Sequence, residues 1–227
     1  FPDRSFGPGD WGDRDIGAIK KRDVLDVLNE IVDSGRGTTA NRLLAYERGF
    51  MNWCVEQDVL PSAPTDRIKA PAKETTRDRV LSDDEIRWLW MACERAGEPW
   101  GPLARALLLT GQRLGEVAGM SDAEISDGVW RLAKERTKNG RAHDVPLSEA
   151  ASAVLSDKAR VASKSRLIFT TNGKTPLGGF SNGLRRLIDA MAEIAAAETG
   201  GAVQIPHWTF HDLRRTAATG MARLGIA

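Results

Sequence analysis

The sequence predicts a mainly α protein with a small antiparallel β-sheet, an α+β chain in two parts. A helical unit occupies residues 1–62, a linker 63–79 and a larger unit 80–227. Three observations predict this. Apolar residues recur every three or four positions through most of the chain, while strand-like runs are confined to 129–132, 143–145 and 167–169. Asn139-Gly140 stands between the first two runs, a dipeptide suited to a tight hairpin because both residues tolerate φ > 0. Pro61-Ser62-Ala63-Pro64 opens a change of composition that lasts to Arg79.

Composition sets the bounds. At 227 residues and 41% hydrophobic content, the chain can bury real cores. No apolar run approaches the ~20 residues of a membrane span, and the opening Phe1-Pro2-Asp3-Arg4 lacks the shape of a signal peptide. The expectation is a soluble, cytoplasmic protein with no membrane partner. Cys54 and Cys93 are too few to staple such a chain and have no CxxC spacing, so they read as buried thiols, with no metal site expected. A net charge of +1 does not advertise a polyanion. Locally, however, Arg131, Lys134, Arg136, Lys138 and Arg141 face only Glu135 and Asp144, a basic patch or simply a solvated hairpin.

The elements follow in order. Residues 1–12, rich in Gly, Pro and Asp, read as an irregular lead-in or the cut end of something longer. Val24, Leu28 and Ile31 mark a first amphipathic helix that Ser34-Gly35 can end. A second helix starts at Thr38 or Thr39, with Leu43, Phe50, Met51, Cys54 and Val55 on its inner face and Tyr46, Phe50 and Trp53 as a core seam. Arg42 and Arg48 lie off that line, where they meet solvent or a phosphate backbone. After the linker, Ser82 and Glu85 form a capping box ahead of Ile86, Leu89, Trp90 and Cys93. Pro102 suits the first turn of a deeply buried helix through Leu109, broken at Thr110-Gly111. Ser148 caps a short helix through Leu155, and Phe180 to Ala195 trace a long amphipathic one. Thr209 caps the last, whose buried line is expected to run through Leu213, Ala217, Met221 and Leu224.

Two clusters can carry chemistry. His211 and Arg214 lie one helical turn apart, about 5–6 Å at Cβ, so both can converge on a small anion near the helix N-terminus; the other reading is a solvated helix start. Arg113 leaves a buried region where an uncompensated guanidinium is costly, and Glu116 three residues on is placed to pair with it. That pair can equally close a helix-helix corner. Lys138 sits near the hairpin tip, exposed and able to reach a site built elsewhere.

Three segments in order, Thr110-Gly111-Gln112-Arg113-Leu114-Gly115-Glu116, then Arg136-Thr137-Lys138-Asn139-Gly140-Arg141 with Val145-Pro146-Leu147-Ser148, then His211-Asp212-Leu213-Arg214-Arg215-Thr216, resemble the tyrosine recombinase family, especially phage-type integrases. The resemblance spans about 81–227, and the helical pair before it is similar to part of the family's core-binding domain. It implies that Arg113 and Arg214 are the two catalytic arginines, His211 the histidine of the second box, Lys138 the hairpin lysine and Glu116 the support of Arg113. It also implies attack by a tyrosine on a DNA phosphodiester, a 3′-phosphotyrosyl intermediate, no cofactor or obligatory metal, double-stranded DNA as partner, and a homotetramer on paired sites. Arg42 and Arg141 are the candidate DNA-backbone contacts. The family's tyrosine box is expected beyond Ala227, and Tyr46 is not assigned as nucleophile, so the chain is expected to bind DNA without cleaving it. Two other functions stay open: a non-catalytic DNA-binding regulator with the recombinase fold, and a type IB topoisomerase-like phosphodiester transferase.

The residue types suit the chemistry. Two guanidiniums can clamp the non-bridging oxygens of a phosphodiester bidentately, with His211 as a further donor. Lysine, unlike arginine, can give a proton to a leaving oxygen.

Overall fold

The computed structural model describes residues 11–226 except 13, 75–77, 157–160, 162 and 165. The opening stretch therefore lies almost wholly outside the described residues. The chain divides into two compact units, Phe1–Arg77 and Asp78–Ala227.

In the first unit, α1 (Lys21–Asp33) packs on α2 (Gly37–Glu56). Val24 and Leu28 of α1 meet Ala40 and Leu44 of α2, with Ile68 closing the cluster. Met51 and Cys54 form a second cluster with Leu60 and Ala63. The proline-rich segment is thus partly packed chain. Arg48 Nη2 donates to the Ile68 carbonyl at 2.6 Å, and Asn41 exchanges hydrogen bonds of 2.8 and 3.0 Å with the backbone of Ala72. Prolines prevent a regular helix there, but apolar side chains still find a groove to fill.

The aromatic seam expected on α2 is not core. Tyr46, Phe50 and Trp53 are 78%, 52% and 53% exposed, although Phe50 and Trp53 stack on one another at 6.3 Å. At 100° per residue the three lie about 120° round the helix from the buried Ala40, Leu44, Met51 and Cys54. A single partner helix covers only one of these faces.

In the second unit, α3 (Asp83–Ala96) carries the expected capping box: Ser82 Oγ accepts from Glu85 N–H at 3.2 Å, and Ser82 N–H donates to the Glu85 carboxylate at 2.7 Å. Then come α4 (Trp100–Thr110), α5 (Leu114–Ala118), α6 (Glu149–Leu155), α7 (Phe180–Thr199) and α8 (Phe210–Arg223). Helix α3 packs on α4 and α7, and α4 packs on α6 and α8. One continuous core includes Leu89, Leu103, Leu107, Met120, Met191 and Leu213. The line expected along α8 holds only at its start: Leu213 is fully buried, whereas Met221 and Leu224 are 37% and 79% exposed. Phe210, Asp212, Leu213 and Thr216 are the buried set, all on the first two turns of the helix.

The sheet is antiparallel in the order β1 (Ile125–Ser126), β2 (Val129–Leu132), β3 (His143–Pro146). Its tight hairpin is Asp127-Gly128, with φ of 54° and 72°, joining β1 to β2. Asn139-Gly140 plays a different part. Leu132 pairs with His143, so residues 133–142 form a longer excursion that includes a 3₁₀ turn at Lys134–Arg136. Gly140 N–H closes a turn on the Thr137 carbonyl at 3.2 Å, and of the dipeptide only Gly140 takes positive φ. The strand expected at 167–169 reduces to an isolated bridge between Ser121 and Leu167.

Candidate functional site

The site begins where α4 stops. Gly111 caps the helix in the left-handed region at φ 62°, a conformation glycine adopts without the Cβ penalty. The chain turns through Gln112 and re-enters α5 with Arg113 as its N-cap. Glu116, on the first turn of α5, accepts from Arg113 twice: from its backbone N–H at 3.1 Å and from Nη1 at 2.9 Å. The carboxylate side chain is 4% exposed and the arginine side chain 36%. Glu116 therefore holds Arg113 at both ends while the rest of the guanidinium fork stays accessible.

Helix α8 delivers the second arginine. An aromatic group anchors its first turn: Phe210 stacks on Trp100 of α4 at 6.5 Å and meets the edge of Trp208 at 6.0 Å. Buried Asp212 accepts from the Thr209 N–H at 2.8 Å and from Arg215 Nη1 at 2.8 Å. Thr216 Oγ1 accepts the Leu81 N–H at 3.0 Å, fastening α8 to the entry of α3. So held, Arg214 Nη1 donates to the Gly111 carbonyl at 2.6 Å. Arg113 and Arg214 thus converge on one turn. Among the described residues, Arg113 has a carboxylate partner at that turn, Glu116, whereas Arg214 is held there by a neutral carbonyl. The turn carries an excess of positive charge suited to an anion.

The remaining candidates lie on three elements. His211 lies exposed on the first turn of α8, one turn before Arg214. Lys138 is exposed in the excursion between β2 and β3, and Arg141 is exposed a few residues on. Arg42 is exposed on α2 of the other unit. Among the described residues, no group of three or more His, Cys, Asp or Glu could hold a metal ion, and no helix is long and apolar enough to cross a membrane. Cys54 and Cys93 are free and buried.

Sequence reasoning missed the residues that hold this site together. Arg136, read as part of a basic patch and of the second family-like segment but given no role of its own, donates through Nε and Nη2 to Glu124 at 2.7 and 3.2 Å and through Nη2 to the Glu116 carbonyl at 3.0 Å. His143 meets Gln112 at 3.2 Å. Nothing in local spacing announces either contact. Asp212 had a signal: it stands three residues after Thr209, the spacing of a capping pair.

Residues 79–227 match the phage integrase family. The integrase of Escherichia phage HK022 is 25% identical over 175 residues, covering 73% of this chain and 47% of that protein. Prophage integrase IntE of Escherichia coli K12 is 27% identical over 135 residues, covering 59% of this chain and 35% of its own length. The chain therefore spans less than half the length of these curated relatives. Among solved structures, a lambda integrase dimer bound to a COC′ core site superposes with a TM-score of 0.73 at 19% identity, over 93% of this chain and 77% of that one. A lambda integrase tetramer bound to a Holliday junction gives 0.70 at 20%, over 92% and 61%. The Tn1549 transposon integrase bound to circular intermediate DNA gives 0.69 at 16%, over 93% and 76%.

Proposed function

The chain belongs to the phage integrase family, and on that premise we propose that it forms part of a site-specific DNA recombinase whose phosphate clamp is Arg113 and Arg214. The observation that carries the reading is the 2.6 Å bond from Arg214 to the Gly111 carbonyl, two residues from Arg113, which is itself fastened to Glu116. Two motifs about a hundred residues apart in sequence thereby face one small volume. The substrate is double-stranded DNA, and the working assembly is a tetramer on paired sites.

In the proposed reaction a tyrosine oxygen attacks the scissile phosphorus and gives up its proton to solvent or a neighbouring base. The P–O5′ bond breaks, leaving a 3′-phosphotyrosyl link, and Lys138 supplies the proton taken up by the leaving 5′-oxygen. Arg113, Arg214 and His211 neutralise the charge gathering on the non-bridging oxygens. Arg42 and Arg141 contact the DNA backbone. Tyr46 is the one tyrosine of the chain, and it stands on α2 of the first unit. By itself, then, the chain binds DNA and holds a phosphate, and none of its residues is assigned as the attacking group.

The test is cleavage of a nicked suicide duplex by the complete gene product. Arg113→Ala and Arg214→Ala are each expected to slow covalent-complex formation by ~10³–10⁵ while DNA affinity stays within a few-fold. Cleavage at the unsubstituted rate by either variant overturns the clamp. Joining of strands between two duplexes, against relaxation of one, separates recombination from a topoisomerase-like reaction. Specific DNA binding with no covalent complex in the complete product supports the regulator instead.

A further inference from the structure

The excursion bearing Lys138 is tied at both ends to the turn that bears Arg113. Before the lysine, the Arg136 guanidinium is gripped bidentately by Glu124 and donates to the carbonyl of Glu116, the residue that orients Arg113. That grip is close. A Cβ at Gly119, where α5 ends, would lie 2.5 Å from Arg136 Nη1. After the lysine, His143 at the start of β3 meets the side chain of Gln112, the neighbour of Arg113, at 3.2 Å.

Bond chemistry fixes the direction of the second tie. Gln112 Nε2 donates to the Thr110 carbonyl at 3.2 Å, and a carbonyl can only accept. The amide oxygen therefore faces His143, so His143 Nε2 carries the proton and donates. Between the two ties, the Thr137 hydroxyl lies within hydrogen-bond distance of the carbonyls of Lys134 and Arg141, at 3.0 and 2.9 Å, drawing the two sides of the excursion together at its base.

We propose that Arg136 and His143 are positioning residues that fasten both sides of the Lys138 loop to the Gln112–Glu116 turn, so that the proton donor and the arginine clamp are held as one body. The assignment rests on the reading of Lys138 as donor. A lysine on an untied exposed loop samples many positions, and general-acid catalysis requires its ammonium within hydrogen-bond reach of the leaving oxygen. The two ties restrict that sampling without touching the lysine, which leaves its side chain free to follow the substrate.

The experiment compares two suicide duplexes in the complete gene product, one with the natural 5′-oxygen and one with sulfur at the bridging 5′ position. A thiolate leaves without needing a proton, so this substrate bypasses the donor. His143→Ala and Arg136→Lys are expected to lose at least about 10-fold on the oxygen duplex, within the ~10²–10⁴ range of general-acid catalysis, and to recover on the sulfur duplex. Arg136→Lys keeps the charge but loses the fork. His143→Gln, whose amide can donate to Gln112, is expected to recover most of the oxygen rate. Equal losses on both duplexes, or no loss, overturn the proposal.

Lys138→Ala is the reference: if it cleaves the oxygen duplex at the unsubstituted rate, the donor reading falls. The tether is judged separately in the chain itself, through backbone ¹⁵N order parameters at residues 138–142. Lower values in His143→Ala and Arg136→Lys support the tether, and unchanged values overturn it whatever the kinetics show.

Discussion

Glu116 and Arg214 differ in how far each reaches for its partner. Glu116 finds Arg113 three residues away on one helical turn, a pairing that spacing alone announces. Arg214 reaches back 103 positions to Gly111, which no local pattern encodes. Cys93 shows the opposite use of burial, protecting a group rather than presenting it. Desolvation pushes its thiol up from 9.0 to about 12, and only the thiolate reacts. In a Cys54→Ser background, labelling of Cys93 by a disulfide reagent at pH 8.5 is expected to proceed no faster than unfolding; labelling of the folded protein would contradict this. The folded state favours the protonated thiol. Its contribution to stability is therefore complete below pH 9.0 and is lost as pH climbs toward about 12.

At the scale of elements, the helices were legible and their outer faces were not. Capping chemistry marked the starts of α3 and α6, since Ser82 and Ser148 accept from the first-turn N–H groups as their positions require. Periodicity found α2 but could not say which of its two apolar stripes would be covered. The structure buries Leu44 and leaves Phe50 half exposed. Leu44→Ala is accordingly expected to cost about 2–5 kcal/mol and Phe50→Ser to stay within about 0.5 kcal/mol, read from urea midpoints of this chain. Equal losses would mean that the aromatic stripe is covered in solution. The hairpin was misplaced for a related reason. Asp127-Gly128 and Asn139-Gly140 both suit a tight turn, and the choice fell to pairing, which aligned Leu132 with His143 and drew the intervening segment out into the loop that carries Lys138.

At the scale of the molecule, separate cores serve the two units, one continuous cluster in the second and two small ones in the first. A fragment of residues 78–227 is therefore expected to unfold in a single cooperative transition and to retain the Arg214–Gly111 geometry; a non-cooperative melt would show that its core depends on the first unit. The sequence by itself determined the fold class, the helices, the capping box, the Arg113–Glu116 pair and the motifs that place the chain in its family. All of these rest on interactions within a few residues or on residue identity in order. Only the tertiary structure decided that Arg113 and Arg214 share one turn, that Arg136 and His143 tie the Lys138 loop to it, and that Tyr46, Phe50 and Trp53 face outward. Each of these is settled by which surfaces meet when the helices pack, and a one-dimensional pattern gives a helix its faces without saying which neighbour will cover them.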